Sequence, residues 1–545
     1  RLIFNSIYNY LLTNELLSPY QSGFKPGDSC SNQLISITHE ILSSFDNYKS
    51  FETRGVFLDM SKAFDKVWHE GLIYKLKSFG ISGNLLSLLS NFLSERFQRV
   101  VLNGQTSEWR IIKAGVPQGS ILGPLLFLIY VNDIPDNLTS NVKLFADDVS
   151  LFSVVKDPIR SGAELNNDLK IIQKWAYDWK MSFNPDPNKQ ATEVLFSKKR
   201  SNVLHPDLEF NGLKIPRISS QKHLGMILDE KLSFNEHISV KLSIAKKSVG
   251  ILRKLFYLIP RKSLIIIYKS FIRPHLDYCD IIYDRPSTDS FTSIIESIQY
   301  NAACAITGAI KGSSKEKLYE ELGLERLSAR RWTRRLTTFY KILSSKGPGY
   351  LHSLIPGIND FPITRSQANI QQFFTRTEAF KNSFFPYVIQ EWNNLDITLR
   401  NSSSISIFKN SILKLVRPKG NSVFSVHNPV GIKFLNRLRL GLSHLREHKF
   451  KHNFQDCLDP ICNCRIEIES TIHFFLHCPN FTQERQILLN NLMNIDQNLV
   501  NNHDHILVNI LLFGAPFFDN IVNSLILLST VDYILSTKRF DHDFM

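Results

Sequence analysis

The chain has 545 residues, 43% of them hydrophobic and 21% charged, with a formal net charge of +14 and an isoelectric point near 9.3. That length suggests three or four domains, and the composition is that of a core-forming protein, which excludes a low-complexity or disordered chain. The longest apolar runs, near residues 121–131 and 506–518, are too short or too broken by Gly and Pro to cross a membrane, so no membrane partner is expected. Seven cysteines, four of them between Cys457 and Cys478, favour a metal site in a reducing compartment over a disulfide framework. The surplus of basic residues would suit a polyanion if it were clustered on one face.

Residues 1–50 read as helical. Leu2, Ile3, Ile7, Leu11 and Leu12 recur at helical spacing up to Ser18-Pro19, and Leu34, Ile37, Ile41 and Leu42 form a second run after the segment QSGFKPGDS. Gly55-Val56-Phe57-Leu58 is a buried-strand signature ending on Asp59, and Phe64, Val67, Trp68, Leu72 and Leu76 mark the inner side of a following helix. Residues 114–120, AGVPQGS, form a turn-rich loop: Gly115 and Gly119 permit close backbone approach and Pro117 fixes one dihedral. In KLFADDVSLF, residues 143–152, apolar runs flank Ala146-Asp147-Asp148 as the turn of a hairpin. Two carboxylates at a hairpin tip repel one another unless solvent or a cation compensates them, so the turn is either a solvated one or a cation site. Asp59 can share such a site, and hard oxygen ligands suit magnesium or manganese rather than zinc.

Further on, Leu165, Leu169, Ile172, Trp175 and Trp179 mark a helix. Residues 237–350 alternate apolar helical runs with basic clusters, first Lys241, Lys246, Lys247, Arg253 and Lys254, then Arg326, Arg330, Arg331, Arg334 and Arg335. Residues 351–450 are rich in Ser, Asn and Phe and read as a linker or connecting region. In CNCRIEIESTIHFFLHC, the residues Cys462, Cys464, His473 and Cys478 make a closed four-ligand zinc set, structural rather than catalytic, with His477 or Cys457 as possible substitutes. Free cysteines packed in a small core are the alternative. The tail reads as helices able to pack on this set.

The Asp-tipped strand, the loop AGVPQGSILGPLLF and the Asp-Asp hairpin, in that order, resemble motifs A, B and C of a right-hand reverse transcriptase. Their flanks are most similar to those of non-LTR, LINE-type retrotransposons of the jockey-like kind. QSGFKPGDS resembles the fingers motif QxGFRxxxS, with Lys25 in place of Arg. WKMSFNPDPNKQATEVLFSKK resembles motif D, with two extra residues ahead of Lys189. SSQKHLGMILDEKLSF resembles the primer grip, with Leu224-Gly225 at its turn. FIRPHLDYCDIIYD fits the region after the thumb, and the Cys/His stretch resembles the C-terminal motif of many such enzymes, with CxC where CxxC is more frequent.

The resemblance implies an α+β fold: a right-hand polymerase palm, an antiparallel sheet with packed helices, plus partial fingers, a helical thumb and a small C-terminal Cys/His zinc-binding module. The implied bounds are 1–50 for the partial fingers, 51–236 for the palm, 237–350 for the thumb, 351–450 for the connecting region and 451–545 for the zinc motif with its flanking helices. It implies RNA-directed DNA polymerase activity on template RNA, with a DNA primer at nicked target DNA, deoxynucleoside triphosphates, two Mg2+ ions (or Mn2+) on Asp59, Asp147 and Asp148, and a structural Zn2+. Phe64 would be the steric gate beneath the deoxyribose, or plain core. Gln118, with Gly119, would face the nascent base pair. Lys25 would touch a phosphate or be a solvated turn lysine; Lys189 would protonate pyrophosphate or be a solvated loop lysine. Leu224 and Gly225 would meet the primer. Arg330, Arg331 and Arg334 would track duplex phosphates or be ordinary helix faces, and Asp65 would be structural, paired to Lys62 or capping the helix. Such a protein is expected inside the cell, in a ribonucleoprotein of nucleus and cytoplasm, and this chain reads as lacking its upstream fingers. The rival is an inactive or domesticated relic that binds RNA; a group II intron or telomerase-like enzyme fits the zinc motif less well. Nothing in the chain resembles an endonuclease, a ribonuclease H or a P-loop, and nothing bears on oligomeric state.

Overall fold

The computed structural model describes residues 1–199, 203–285, 289–357, 369–416, 428–515 and 517–540. They divide into two compact units, one of Arg1–His237, Ile281–Asp284 and Arg335–Ile405, the other of Ile238–Asp280, Arg285–Arg334 and Ser406–Met545.

The first unit is built on a four-stranded sheet of β1 (Glu52–Asp59), β2 (Asn141–Phe145), β3 (Asp148–Val155) and β4 (Ala191–Phe196). The order across the sheet is β2-β3-β1-β4, and each neighbouring pair is antiparallel. Every residue of β1 except Asp59 is buried, which is why its sequence reads as a continuous rather than alternating run. The core unites Val56 and Leu58 of β1, Leu144, Val149 and Leu151 of the hairpin, the helix Leu122–Val131 and the helix Pro158–Asp178. Capping explains where the long helices begin. The Ser29 side chain accepts from the Asn32 amide ahead of Cys30–Asp46, and Asp157 accepts from the Ile159 and Arg160 amides with Pro158 at the first helical position. The helix after Asp59 starts later than its apolar spacing suggests. Lys62 takes a left-handed φ of 49°, Ala63–Asp65 is a single tight turn, and the α-helix proper is His69–Ser78.

Within 351–450, expected as a linker or connecting region, the described residues around 376–385 and Pro429–Arg439 are packed. Asp46 accepts hydrogen bonds from the backbone amides of Arg376 (3.0 Å) and Thr377 (2.6 Å) and from the Thr377 hydroxyl (2.7 Å). His39 lies among Phe373, Phe380 and Phe385, with ring centroids 5.2–5.4 Å away, and burial lowers its pKa to about 4. The helix Pro429–Arg439 belongs to the core of the second unit, where Gly431 lies so close to Val531 that a Cβ would sit 2.2 Å from its Cγ1. The apolar residues of this stretch are partnered by elements far away in sequence, so no local pattern announces them.

The second unit is helical. It includes Arg261–Ile267, Asp289–Thr307, Lys315–Leu322 and the C-terminal helices Thr482–Ile495, Asp504–Phe513 and Asn520–Ser536. The last of these packs on the Cys/His stretch as expected: the Tyr533 hydroxyl donates to the Phe474 carbonyl at 2.5 Å, and the two rings meet at 5.4 Å.

Candidate active site

Antiparallel register brings the aspartates together. Asp59, the exposed last residue of β1, is the direct Cα partner of Asp148, the first residue of β3. Asp147 precedes Asp148 in a two-residue turn whose other member, Ala146, has a left-handed φ of 57°. Loss of solvent first, then Asp147 and Asp59, pushes the Asp148 carboxyl up to about 6, although part of the residue faces solvent. Loss of solvent and Asp59 raise Asp147 as well. Three neighbouring carboxylates offering hard oxygen, two of them raised in pKa, fit a divalent cation of the magnesium or manganese kind.

Two amide side chains that the motif reading passed over hold this arrangement. Asn184 donates from Nδ2 to Asp59 Oδ2 at 2.7 Å and from its backbone amide to the Asp59 carbonyl at 2.8 Å. Gln21 is buried, and its Oε1 accepts from the Ala146 amide at 2.9 Å and the Gly23 amide at 2.8 Å. Gln21 is the first position of the fingers motif in QSGFK, and Asn184 lies in FNPDPNK; the motif resemblance implies no role for either amide.

The loop between strand and hairpin is fastened to the turn after Asp59. The Val116 amide donates to the Phe64 carbonyl and the Gly115 amide to the Val67 carbonyl, both at 2.8 Å. Gly115 has a φ of 94°, and a Cβ there would fall 2.8 Å from the Asp65 carbonyl oxygen, so both conformation and space require glycine. Gln118 Nε2 donates to Asp65 Oδ1 at 3.0 Å. Asp65 therefore pairs with Gln118 rather than with Lys62. Gly119 takes a φ of 82° with open space around it. Phe64 is half-buried, stacked on Phe127 at 4.3 Å and edge-on to Phe24 at 5.9 Å, so it is both part of the core and partly open.

The remaining expected residues are placed as follows. Lys25 donates to the Ser18 carbonyl at 3.0 Å, and burial lowers its pKa against the opposing pull of Asp28. Lys189 lies in the short helix Pro187–Gln190 just ahead of β4, paired with Asp186 at 3.3 Å and largely exposed. Leu224 and Gly225, with φ of 46° and 77°, form the two-residue turn between the strands Ser220–His223 and Met226–Asp229.

The arginines of the second unit require a correction. Arg330 grips Asp277 through Nε and Nη2 at 2.9–3.0 Å and Glu325 through Nη1 at 2.7 Å. Arg334 pairs with Asp280 at 3.1 Å and Asp277 at 3.5 Å, and Arg331 is only 1% exposed. These cations are committed to carboxylates or buried inside the fold, a placement that does not suit phosphate contact. On the helix Asn235–Leu255, by contrast, Lys246, Lys247, Arg253 and Lys254 are exposed.

In the second unit Cys462, Cys464, His473 and Cys478 place their ligand atoms all within 4.8 Å of one another. The aspartates of the first unit are not gathered so tightly. The Cys462 and Cys478 sulfurs are 3.7 Å apart, and the Cys464 sulfur is 3.3 Å from His473 Nε2. Burial, and then the neighbouring thiols, push Cys462 up to about 12. The other ring nitrogen of His473, Nδ1, is 2.6 Å from Glu467 Oε1, the outer contact that orients a zinc-binding imidazole. Three sulfurs and one imidazole nitrogen suit a closed tetrahedral zinc. Neither proposed substitute belongs to this set. Cys457 bonds to the carbonyls of Arg446 and Asp459, and His477 lies between Glu467 and Asp504.

Residues 1–215 match the family model described as reverse transcriptase (RNA-dependent DNA polymerase). The chain is 30% identical over 322 residues to the RNA-directed DNA polymerase from mobile element jockey of Drosophila melanogaster, which covers 57% of this chain and 34% of that relative. It is also 30% identical over 271 residues to the probable RNA-directed DNA polymerase from transposon BS of the same organism, covering 48% and 29%. The matched stretches therefore span about a third of those relatives. Among solved structures, telomerase from Candida albicans in complex with a fragment of telomeric RNA is similar at 12% identity and a TM-score of 0.29, over 61% of this chain and 55% of that one, too loosely to bear on the fold. Over residues 1–215 the chain is thus similar to reverse transcriptases, and over a longer stretch to the RNA-directed DNA polymerases of jockey-like mobile elements.

Proposed function

We propose that this protein copies RNA into DNA by two-metal nucleotidyl transfer, primed at a nick in target DNA. The observation that carries the reading is the register pair Asp59 and Asp148 with Asp147 beside them, at one end of the two central strands and within the matched stretch. Asp59 and Asp147 would be the principal ligands and Asp148 the supporting carboxylate. Magnesium held there would make the primer 3′-hydroxyl a better nucleophile and stabilise the departing pyrophosphate.

The chain's own residues supply the positioning. Phe64, braced by Phe127, would lie under the sugar of the incoming deoxynucleoside triphosphate and exclude a 2′-hydroxyl. Gln118, held through Asp65, would set the loop against the nascent base pair. The turn Leu224-Gly225 would meet the primer strand, Lys25 the phosphates, and Lys189, once released from Asp186, would act as the proton donor to pyrophosphate. The exposed cations of Asn235–Leu255 suit a duplex backbone read without sequence. Zinc on the C-terminal set would fix that part of the fold and present it to nucleic acid, within a ribonucleoprotein of nucleus and cytoplasm. The rival reading, a relic that only binds RNA, leaves the convergence of three aspartates without a use.

The test is extension from the 3′ end of a nicked DNA duplex annealed to an RNA template, with deoxynucleotides or ribonucleotides supplied separately. Deoxynucleotide incorporation in the order of the template is expected. Equal use of ribonucleotides would contradict the role of Phe64, and RNA binding without any incorporation would favour the relic.

A further inference from the structure

The turn that carries Asp147 is held from outside the hairpin by Gln21. Its Oε1 sits between two backbone N–H donors, Ala146 at 2.9 Å and Gly23 at 2.8 Å, and its Nε2 makes a longer contact of 3.4 Å to the Ala146 carbonyl. Two N–H groups aimed at one atom fix which end of the amide is oxygen. The surrounding backbone repeats the attachment: the Leu144 amide donates to the Tyr20 carbonyl at 3.0 Å, and the Ser22 amide to the Leu144 carbonyl at 2.9 Å. Contact is so close that a Cβ on Gly23 would lie 2.3 Å from the Ala146 nitrogen.

Ala146 needs this support. A non-glycine residue is disfavoured in the left-handed region, and a free hairpin tip would relax away from it, swinging the next two residues. Those residues are Asp147 and Asp148. We infer that Gln21 is a positioning residue for the cation site, locking the Ala146 peptide so that the Asp147 carboxylate stays aimed at the metal shared with Asp59. The inference rests on the metal-dependent reading above, but it concerns cation affinity and can be measured without polymerisation.

The probe is Mn2+ binding followed by electron paramagnetic resonance on the full chain, with zinc already loaded on the cysteine set. Three variants are compared with the parent: Gln21→Met, which keeps the volume and loses both acceptor and donor; Gln21→Glu, which keeps the acceptor for the two amides; and Asp147→Ala, which identifies the site. Thermal unfolding is recorded for each. The expected result is Mn2+ binding that Asp147→Ala abolishes, that Gln21→Met weakens about tenfold and that Gln21→Glu largely restores, with unfolding temperatures close to the parent's. Gln21→Met binding as the parent does would overturn the inference. So would equal weakening in Met and Glu variants that both unfold early, which marks a purely structural residue, and so would a parent that binds no Mn2+ at the Asp147 site. Binding that depends on Gln21 in a protein that extends no primer would leave the inference standing and remove the polymerase reading.

Discussion

Asp148 is the residue on which the chemistry and the stability of the site meet. Its pKa of about 6 lies above the ordinary carboxyl value near 4, so folding favours its protonated form. The stability this group contributes in metal-free protein is therefore present at low pH and lost as pH rises from about 4 through about 6. With a chelator present, the unfolding temperature of the parent should fall across that window relative to Asp148→Asn, and magnesium at neutral pH should recover the loss. Identical pH profiles for the two proteins would refute the assignment. Asp59, Asp147 and Asp148 were legible in the sequence because Asp59 ends one recognisable strand, Asp148 begins another and Asp147 sits in the turn before it. The contacts of Gln21, a motif position, and of Asn184 were not, because a neutral amide carries no sign of its partner until the backbone it serves is placed beside it.

At the scale of elements, the sheet was legible where its chemistry is monotonous. Gly55 to Leu58 announces a strand covered on both faces, and the Asp-Asp turn separates two apolar runs. The turn at Lys62 was not, since nothing in the residue type foretells a left-handed backbone, and the helix was consequently placed too early. Gly115 shows the same kind of constraint with a measurable result. Gly115→Ala must leave a φ of 94° and push against Asp65, so it should detach the loop from the turn after Asp59, lowering polymerisation at least tenfold while most of the sheet stays folded. Wild-type activity in that variant would mean that the loop's attachment is idle. The two sets of basic residues separate by their partners. Arg330→Ala should cost about 2 kcal/mol of stability, because Asp277 and Glu325 lose charged hydrogen bonds, and should leave the salt dependence of RNA binding unchanged. Replacing the exposed Lys246 and Lys247 by Ala should leave stability alone and reduce that salt slope by about 2.

For the molecule as a whole, the two compact units each draw on segments distant in sequence. The reason lies in residues such as His39 and Asp46, whose partners lie more than three hundred positions away, and Gly431, which makes room for Val531. Contacts of that separation leave no periodic trace, whereas the Cys462, Cys464, His473 and Cys478 set, being close in sequence, did. Removal of zinc should be felt within the second unit: a strong chelator, or Cys478→Ser, is expected to lower protection of the amides around Phe474 and Tyr533 in hydrogen exchange, while those of β1 and β3 keep theirs. Primer extension on an RNA template with magnesium and deoxynucleotides, run on the parent and on Asp59→Asn, Asp147→Asn and Asp148→Asn, decides whether these carboxylates carry the polymerase chemistry. Aspartates that jointly hold catalytic metal predict template-directed DNA from the parent, its loss with Asp59→Asn or Asp147→Asn, and a smaller defect with Asp148→Asn. Extension that survives in all three variants would contradict the account.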